Sequence, residues 1–113
     1  MNIITTLTNH PNQRHQLVLE NRESADFRLY FLSRQRSWYY DITYKDITTN
    51  CNKVVLTPNS LRQYRKIIPF GIAFYTEGEV EPFKIDDFSS GRIKMGILNS
   101  DEVLEIEKEI YNR

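Results

Sequence analysis

Residues 27–42 have the sequence FRLYFLSRQRSWYYDI, and this stretch decides the fold class. Large apolar or aromatic side chains occupy every second position over residues 27–31 and again over residues 38–42. Alternation with a period of two, rich in aromatic and branched residues, is typical of strands with one buried face. The polar residues 33–36 separate the two runs. The stretch therefore predicts a β-hairpin.

The register of this hairpin follows from its large side chains. One antiparallel register places three of them on the first strand opposite three on the second. The predicted pairs, which we also predict to form the core, are Phe27 with Ile42, Leu29 with Tyr40, and Phe31 with Trp38. A slip of one residue would move all six side chains to the solvent face, so this register is strongly favoured.

The composition is that of a small globular protein. Of 113 residues, 40% are hydrophobic and 12% aromatic, which argues against a disordered chain. This length suits one modest core, and we predict a single β-rich domain over residues 1–113. The only cysteine, Cys51, excludes an intramolecular disulfide, fits a reducing cytoplasm and is predicted to be a small apolar filler at a strand end. With neither a signal-peptide pattern nor an apolar run near the ~20 residues of a membrane span, we expect a soluble protein.

The remaining pattern predicts further strands and two helices. Strands are predicted at residues 3–7, 15–20, 53–56, 70–75 and 92–98. Ser60 and Gln63 form a capping-box pattern, which predicts a short helix from Ser60 to Ile67. Consecutive strands predict a meander. The fold class is therefore mostly β: a small antiparallel barrel or sandwich-like domain with one short internal helix and a C-terminal amphipathic helix.

The C-terminal helix is predicted over residues 100–113. Ser100 is a suitable N-cap, and the acidic residues after it suit the positive end of a helix. The apolar stripe comprises Val103, Leu104, Ile106, Ile110 and Tyr111. A helix of this length is marginal alone in water, so it must pack either on its own β domain or in a partner's groove.

Little in the sequence supports catalysis. His10, His15 and Cys51 are too few and too irregularly spaced for a zinc site. Glycines occur singly, which excludes a phosphate-binding loop, and no serine lies in a hydrolase motif. Adjacent strand residues point to opposite faces, so Asp86 and Asp87 would not converge as an acid–base pair, and we predict a solvated turn there. We predict no cofactor, no metal and no enzymatic activity.

The net charge of zero conceals an uneven distribution. Residues 1–70 carry ten basic and five acidic side chains, whereas residues 71–113 carry five basic and ten acidic ones. One interpretation is that both parts are simply solvated. The other is that basic and acidic surfaces of neighbouring copies meet, through contacts that salt would weaken.

Two alternative functions remain open. The first is binding of single-stranded nucleic acid by an OB-like domain, because stacking aromatics on a basic sheet hold such strands. The candidate residues are Tyr30, Tyr39 and Tyr44 with Arg28, Arg34 and Arg36. Outward tyrosines also serve cross-strand packing, and the zero net charge makes nucleic acid the weaker candidate. The second alternative is a small adaptor that docks on a partner through its C-terminal helix.

A series of short motifs carries a family resemblance. They are Pro11-Asn12-Gln13, then Arg34, Trp38 and Asp41, then Leu61 and Tyr64, then Phe70-Gly71, and finally Phe88 and Gly91. In this order, over residues 3–98, the chain resembles the plug protein family of contractile phage tail baseplates, described for a simple cyanophage. The chain departs from that family in two places: residues 46–50 lack a turn glycine, and the C-terminal helix is longer.

The resemblance implies a structural protein of the virion, made in the host cytoplasm. Such a protein lies at the hub of the tail tip, helps to close the central tube, and contacts other baseplate proteins and symmetric copies of itself. Tyrosine and arginine are enriched at interfaces of this kind. The predicted interface residues are Pro11, Asn12, Gln13, Arg34, Arg36 and Tyr39, together with the C-terminal helix.

Overall fold

Two antiparallel sheets and a C-terminal helix form the protein. The computed structural model describes residues 1–19, 22–76 and 84–111. The strands are β1 (Asn2–Ile4), β2 (Asn12–Val18), β3 (Ser24–Leu32), β4 (Ser37–Tyr44), β5 (Ile47–Lys53), β6 (Gly71–Tyr75) and β7 (Lys94–Leu98). A 3₁₀ turn covers Arg62–Tyr64, helix α1 covers Ser100–Ile106, and a turn of π-helix, Glu107–Tyr111, continues α1.

The sheets pack face to face. The larger sheet is the meander β2-β3-β4-β5, and the smaller has the order β1-β7-β6. Aromatic rings join them: the ring centroid of Tyr40 lies 5.8 Å from that of Phe74, and Tyr44 lies 5.4 Å from Phe70. The predicted mostly β, sandwich-like class is therefore confirmed. The described strands do not close into a barrel, because β1 pairs with β7 rather than with β2.

The β3–β4 hairpin has the predicted register. Its inward pairs are Phe27 with Ile42, Leu29 with Tyr40, and Phe31 with Trp38. Five of these side chains are essentially inaccessible to solvent. Phe31 is only half-buried, because it is the last inward residue before the turn. Its ring centroid lies 5.3 Å from that of Trp38, in an edge-to-face contact.

Trp38 connects the hairpin to the segment before β7. Its indole Nε1 donates a hydrogen bond to the Lys84 carbonyl oxygen at 2.9 Å. Its ring meets that of Phe88 edge-on at 5.3 Å, and Phe88 in turn contacts Phe74. A single buried side chain therefore ties β4, residues 84–88 and β6 together.

The predicted helix from Ser60 to Ile67 is wrong in extent and in its cap. Only Arg62–Tyr64 is helical, as a 3₁₀ turn without a side-chain cap. The Ser60 hydroxyl instead shares a hydrogen bond with the Tyr40 hydroxyl, so a core contact takes the group that would have capped a helix.

Asn59 fastens this turn to β6. Its buried Oδ1 accepts hydrogen bonds from the backbone N–H groups of Leu61 at 3.0 Å and Ile72 at 3.3 Å. A Cβ atom added at Gly71 would lie 2.6 Å from that oxygen. Glycine at position 71 is therefore required by the close approach of Asn59.

The prediction of a strand at residues 53–56 is also wrong. The turn after β4 is only Lys45-Asp46, with Lys45 at a φ of 55°, so β5 begins at Ile47 and ends at Lys53. Its polar residues hid it, because β5 is an edge strand with one solvated side. The first predicted strand is shorter than expected, ending at Ile4, and β2 begins earlier, at Asn12. The end of the predicted strand 15–20, at Glu20, lies outside the described residues.

Cys51 is exposed, which corrects its predicted role as an apolar filler. It lies where the β4–β5 register shifts, with a φ of 57°. A residue displaced from the ladder in this way belongs to a β-bulge, and its side chain no longer follows the alternation of the strand.

The C-terminal helix covers the side of the smaller sheet that faces away from the larger one. Asn99, not Ser100, is the N-cap, and it forms a capping box with Glu102 through hydrogen bonds of 2.8 and 3.1 Å. Val103 is buried in a small cluster with Ala73 and Leu98. The helix therefore packs on its own domain.

The predicted apolar stripe of this helix is only partly buried. Ile106 is half-buried, whereas Ile110 is exposed and Leu104 is 68% exposed. Leu104 points away because it follows Val103 directly and so faces about 100° away around the helix. The Tyr111 side chain and residues 112–113 lie outside the described part.

Candidate interaction surface

The outward face of the larger sheet carries a linked polar and aromatic group of side chains, which we call the outer cluster. Its members are Asn12, Arg28, Tyr30, Tyr39 and Asp41. Asn12 pairs with Tyr30, which pairs with Tyr39, and Arg28 pairs with Asp41. Because positions of the same parity on paired strands share a face, the register alone brings the five side chains together.

Arg28 is the centre of the outer cluster. Its Nε donates to the Asn12 Oδ1 at 3.0 Å, and its Nη1 lies 3.2 Å from the Asp41 Oδ2. Its guanidinium carbon lies 4.3 Å from the centroid of the Tyr30 ring, as in a cation–π contact. The Tyr30 and Tyr39 rings are stacked, with centroids 6.1 Å apart. The guanidinium is thereby fixed on both its edge and its face.

Asp41 accepts hydrogen bonds from three residues on the two neighbouring strands, β3 and β5. Its Oδ1 accepts from the Tyr30 hydroxyl at 2.9 Å and from the Cys51 N–H at 2.8 Å, while Oδ2 faces Arg28. Partial burial by itself would raise the pKa of Asp41, but these hydrogen bonds and the guanidinium outweigh it and hold that pKa below its usual value. Asp41 therefore stays ionised and holds the β5 bulge against β4.

Tyr30 is locked in its neutral form. Burial raises the pKa of its hydroxyl, and its contacts with Cys51 and with the Asp41 carboxylate raise that pKa further. The hydroxyl therefore remains a hydrogen-bond donor at neutral pH. Neither Asp41 nor Tyr30 exchanges protons readily at neutral pH, and their hydrogen bonds make the outer cluster rigid.

The predicted motif Pro11-Asn12-Gln13 is divided by the structure. Pro11 and Asn12 are exposed; Asn12 belongs to the outer cluster, and Pro11 directly precedes it. Gln13 is buried, and its amide is used internally: Nε2 donates to the carbonyl oxygens of Thr8 and His10, and Oε1 accepts from the Thr8 N–H. Gln13, predicted as an interface residue, therefore supports the preceding loop from inside, where little of its side chain is accessible to a partner.

Arg34 and Arg36 lie at the tip of the β3–β4 hairpin. Both are exposed, and Arg36 has a φ of 50°, which allows the tight turn. The Leu32–Ser37 pair that closes the hairpin is two pairs beyond Tyr30–Tyr39. The two arginines therefore follow the end of β3 that lies beside Pro11 and Asn12, since the Phe31 N–H donates a hydrogen bond to the Pro11 carbonyl oxygen.

Two of the three tyrosines predicted to stack on bases are buried. Tyr44, predicted to face outward, lies on the inner face, where its hydroxyl donates to Glu23 at 2.7 Å. It has the same parity as Tyr40 and Ile42, so the pleat directs it to the core. Tyr30 is only 8% exposed beneath Arg28.

Asp87 corrects the prediction of a solvated acidic turn. Asp86 is exposed, but Asp87 is only 1% exposed and accepts two hydrogen bonds from Arg92, at 2.7 and 2.8 Å. It also accepts from the Lys84 N–H at 2.8 Å. The Asp87–Arg92 ion pair closes the loop that contains Lys84, whose carbonyl oxygen accepts the hydrogen bond from the Trp38 indole. The role of this ion pair is structural.

Among residues 1–19, 22–76 and 84–111, no group of three or more histidine, cysteine, aspartate or glutamate side chains is placed to hold a metal ion. In the same part of the chain, no helix has the length and apolar character needed to cross a membrane.

Sequence reasoning identified Arg28 and Asp41 separately and missed their partnership. The signal was available, because the register deduced from the apolar residues already places these opposite charges side by side. The ion pair between the buried Asp87 and the half-buried Arg92 carried no comparable signal.

One comparison with known proteins is informative. A family model described as cyanophage baseplate Pam3 plug gp18 matches residues 1–100. No curated protein matches the sequence. The matched range spans the seven strands of the described residues and the whole outer cluster, and it stops at the first residue of α1.

Proposed function

The chain belongs to the cyanophage baseplate plug family, a family of structural phage components of the tail, and on that premise we propose that it is a non-enzymatic plug or hub protein at the tail tip that closes or stabilises the central tube. The observation that carries this proposal is the family match over 100 of 113 residues. Family membership implies contact with other baseplate proteins. The proposal adds the position at the hub and contact with symmetric copies of the same chain.

The chemistry of the outer cluster supports a static role. The charges of Arg28 and Asp41 satisfy each other, and the low pKa of Asp41 and raised pKa of Tyr30 keep both groups in one protonation state at neutral pH. A general acid or base works best with a pKa near the operating pH. Fixed aromatic and guanidinium groups, by contrast, lose little conformational entropy on binding, which suits a permanent interface.

The surface proposed to contact neighbouring subunits, either other baseplate proteins or copies of this chain, comprises Pro11, Asn12, Arg34, Arg36 and Tyr39. These residues are exposed or half-buried, Asn12 and Tyr39 share the outward face of the larger sheet, and Pro11 and the two arginines lie where β2, β3 and β4 begin or end. The loop before β2 is held by Gln13, and the hairpin by its core register, so the surface is presented by rigid elements.

Electron microscopy of labelled particles tests the proposed position. Antibody against this protein is applied to tailed particles released from the source strain after DNA damage. We expect label at the tail tip and none on the capsid or along the sheath. Intact tailed particles without label, from cells that express the protein, would overturn the proposal.

A second experiment tests the proposed surface. Phage lacking the gene are complemented with a chain carrying Asn12→Ala and Tyr39→Ala, which leaves the hairpin tip intact, and with a control carrying Gln63→Ala and Ile67→Ala at exposed positions between β5 and β6. We expect the first variant to be folded but absent from particles, and the control to be incorporated. Equal incorporation of both would exclude this surface as the baseplate contact.

A further inference from the structure

A groove of about 660 Å³ lies between the C-terminal helix and the smaller sheet, outside the surface already described. Its apolar lining is provided by the side chains of Met1, Leu56, Ala73, Ile106 and Ile110. Ile110 and Met1 are about half exposed. Apolar side chains that line an open concavity are characteristic of a site that a partner covers.

The rim of the groove on the helix side is acidic. Glu102, Glu105 and Glu109 line it, and the helix and π-turn together carry five acidic residues and one basic residue. Glu102 pairs with the N-terminal ammonium of Met1. Glu105 is exposed, and within the described residues it has neither a salt bridge nor a side-chain hydrogen bond. The groove thus offers an apolar floor beside an uncompensated negative charge.

The hairpin tip of the same chain has the complementary character. Leu32 is 37% exposed, and Arg34 and Arg36 are exposed on either side of Gln35. The tip therefore presents one apolar side chain and two positive charges on a rigid turn.

We propose that the groove binds the β3–β4 hairpin tip of a second copy of this chain, with Leu32 over the apolar floor and Arg34 facing Glu105. Opposite charges across an interface set its orientation and its partner, and the apolar contact supplies affinity. The two surfaces are different, so the contact is heterologous, and repetition of it generates a ring if the rotation closes. This inference rests on the part of the proposed function that calls for symmetric copies.

The first test is sedimentation velocity of the full chain at about 0.05 M and about 1 M salt. At the higher salt the Debye length is only ~3 Å, so attraction between charged surfaces is screened. We expect self-association at low salt that weakens at high salt. A chain that is monomeric at low salt up to about 1 mM protein would overturn the inference.

Charge reversal locates the contact. Glu105→Arg and Arg34→Glu should each weaken self-association about tenfold, because each sets like charges opposite one another. An equimolar mixture of the two variants should recover association, since one groove then matches the other's tip. The matched controls Asp46→Arg and Arg14→Glu make the same charge changes at exposed positions away from both surfaces and should have no effect. Equal loss in the controls, or no recovery in the mixture, would overturn the inference.

The apolar part of the contact has its own matched pair. Ile110→Asn changes a groove residue, and Leu104→Asn changes an exposed apolar residue of the same helix that does not line the groove. Only the first should reduce association, with the circular dichroism of both unchanged.

The outcomes for the groove and for the proposed function can be told apart. Label at the tail tip with a monomeric chain would reject only the groove contact, whereas association in solution without label would reject only the tail position.

Discussion

The two faces of β4 use similar side chains for different purposes. On the inner face, Trp38 and Tyr40 are inaccessible to solvent and pack on the opposite sheet. On the outer face, Tyr39 and Asp41 are half-exposed and are tied to Arg28 and Tyr30. Alternation along one strand therefore separates a stabilising surface from a candidate binding surface by a single residue.

The polar atoms of the aromatic residues show how the two faces differ. The buried Trp38 and Tyr40 each send one polar atom to a partner elsewhere in the chain, the Lys84 carbonyl and the Ser60 hydroxyl. Tyr30 on the outer face instead bonds to Asp41, within the same sheet. The inner face thus fixes the tertiary structure, whereas the outer face organises only itself. Substitutions should follow that division.

The largest effect is expected for Trp38→Ala. Removal of a fully buried indole, its hydrogen bond and its contact with Phe88 should lower the free energy of unfolding by about 3–5 kcal/mol. The control is the neighbouring Tyr39→Ala on the outer face, expected to cost below ~1 kcal/mol. Denaturant unfolding measures both. Similar losses in the two variants would contradict the division of the faces.

The outer face should have one residue with a structural effect, Asp41. Asp41→Ala removes the acceptor for the Cys51 N–H, the Tyr30 hydroxyl and Arg28, and should cost about 1–3 kcal/mol. The exposed turn residue provides the control: Asp46→Ala should change stability by no more than ~0.5 kcal/mol. Loss of hydrogen-exchange protection at the Cys51 amide would place the effect at the bulge; unchanged protection would show that Asp41 does not hold it.

A smaller effect on the inner face is expected for Tyr40→Phe. The ring keeps its packing, but the Ser60 hydroxyl loses its partner, so about 0.5–1.5 kcal/mol should be lost. The double variant with Ser60→Ala should cost less than the sum of the two single changes, because both remove the same hydrogen bond. Strict additivity would mean that the bond contributes nothing.

Acid titration should separate the faces by pH. On the inner side, burial lowers the pKa of His15 from 6.5. The unfolded chain then binds the proton more readily, so stability is complete above about pH 6.5 and declines as the pH falls through the lower folded pKa. On the outer side, the lowered pKa of Asp41 contributes stability above its ordinary 3.8 that is lost as the pH falls through its folded value.

The matched variant for this titration is His15→Gln. This variant should lose the decline in stability that begins near pH 6.5 and keep the loss of stability in stronger acid. The carboxylates of Glu23 and Glu102, whose pKa values are also lowered, contribute to that loss with the same sign as Asp41. Thermal denaturation at a series of pH values measures the effect. A wild-type decline that is unchanged in His15→Gln would assign it to another group.

Local periodicity determined the β3–β4 hairpin and its register. The alternation over residues 27–42 specified the pairs of β3 with β4, and only that register buries the large side chains together. Burial of apolar area is a property of the pattern itself, which is why the hairpin and the mostly β class were predictable. The exposure of Arg34 and Arg36 followed from their place in the polar turn.

Tertiary contacts decided the rest. Ser60 is not a helix cap because Tyr40 takes its hydroxyl, and Asp87 is not solvated because Arg92, five residues later, folds back on it. The groove and its acidic rim exist only because residues distant in sequence, Met1 and Ile110, come together. A sequence encodes the structural preferences of each segment. A polar side chain with several possible hydrogen-bond partners acquires one of them only when the whole chain packs, because an unpaired polar group in the protein interior is costly.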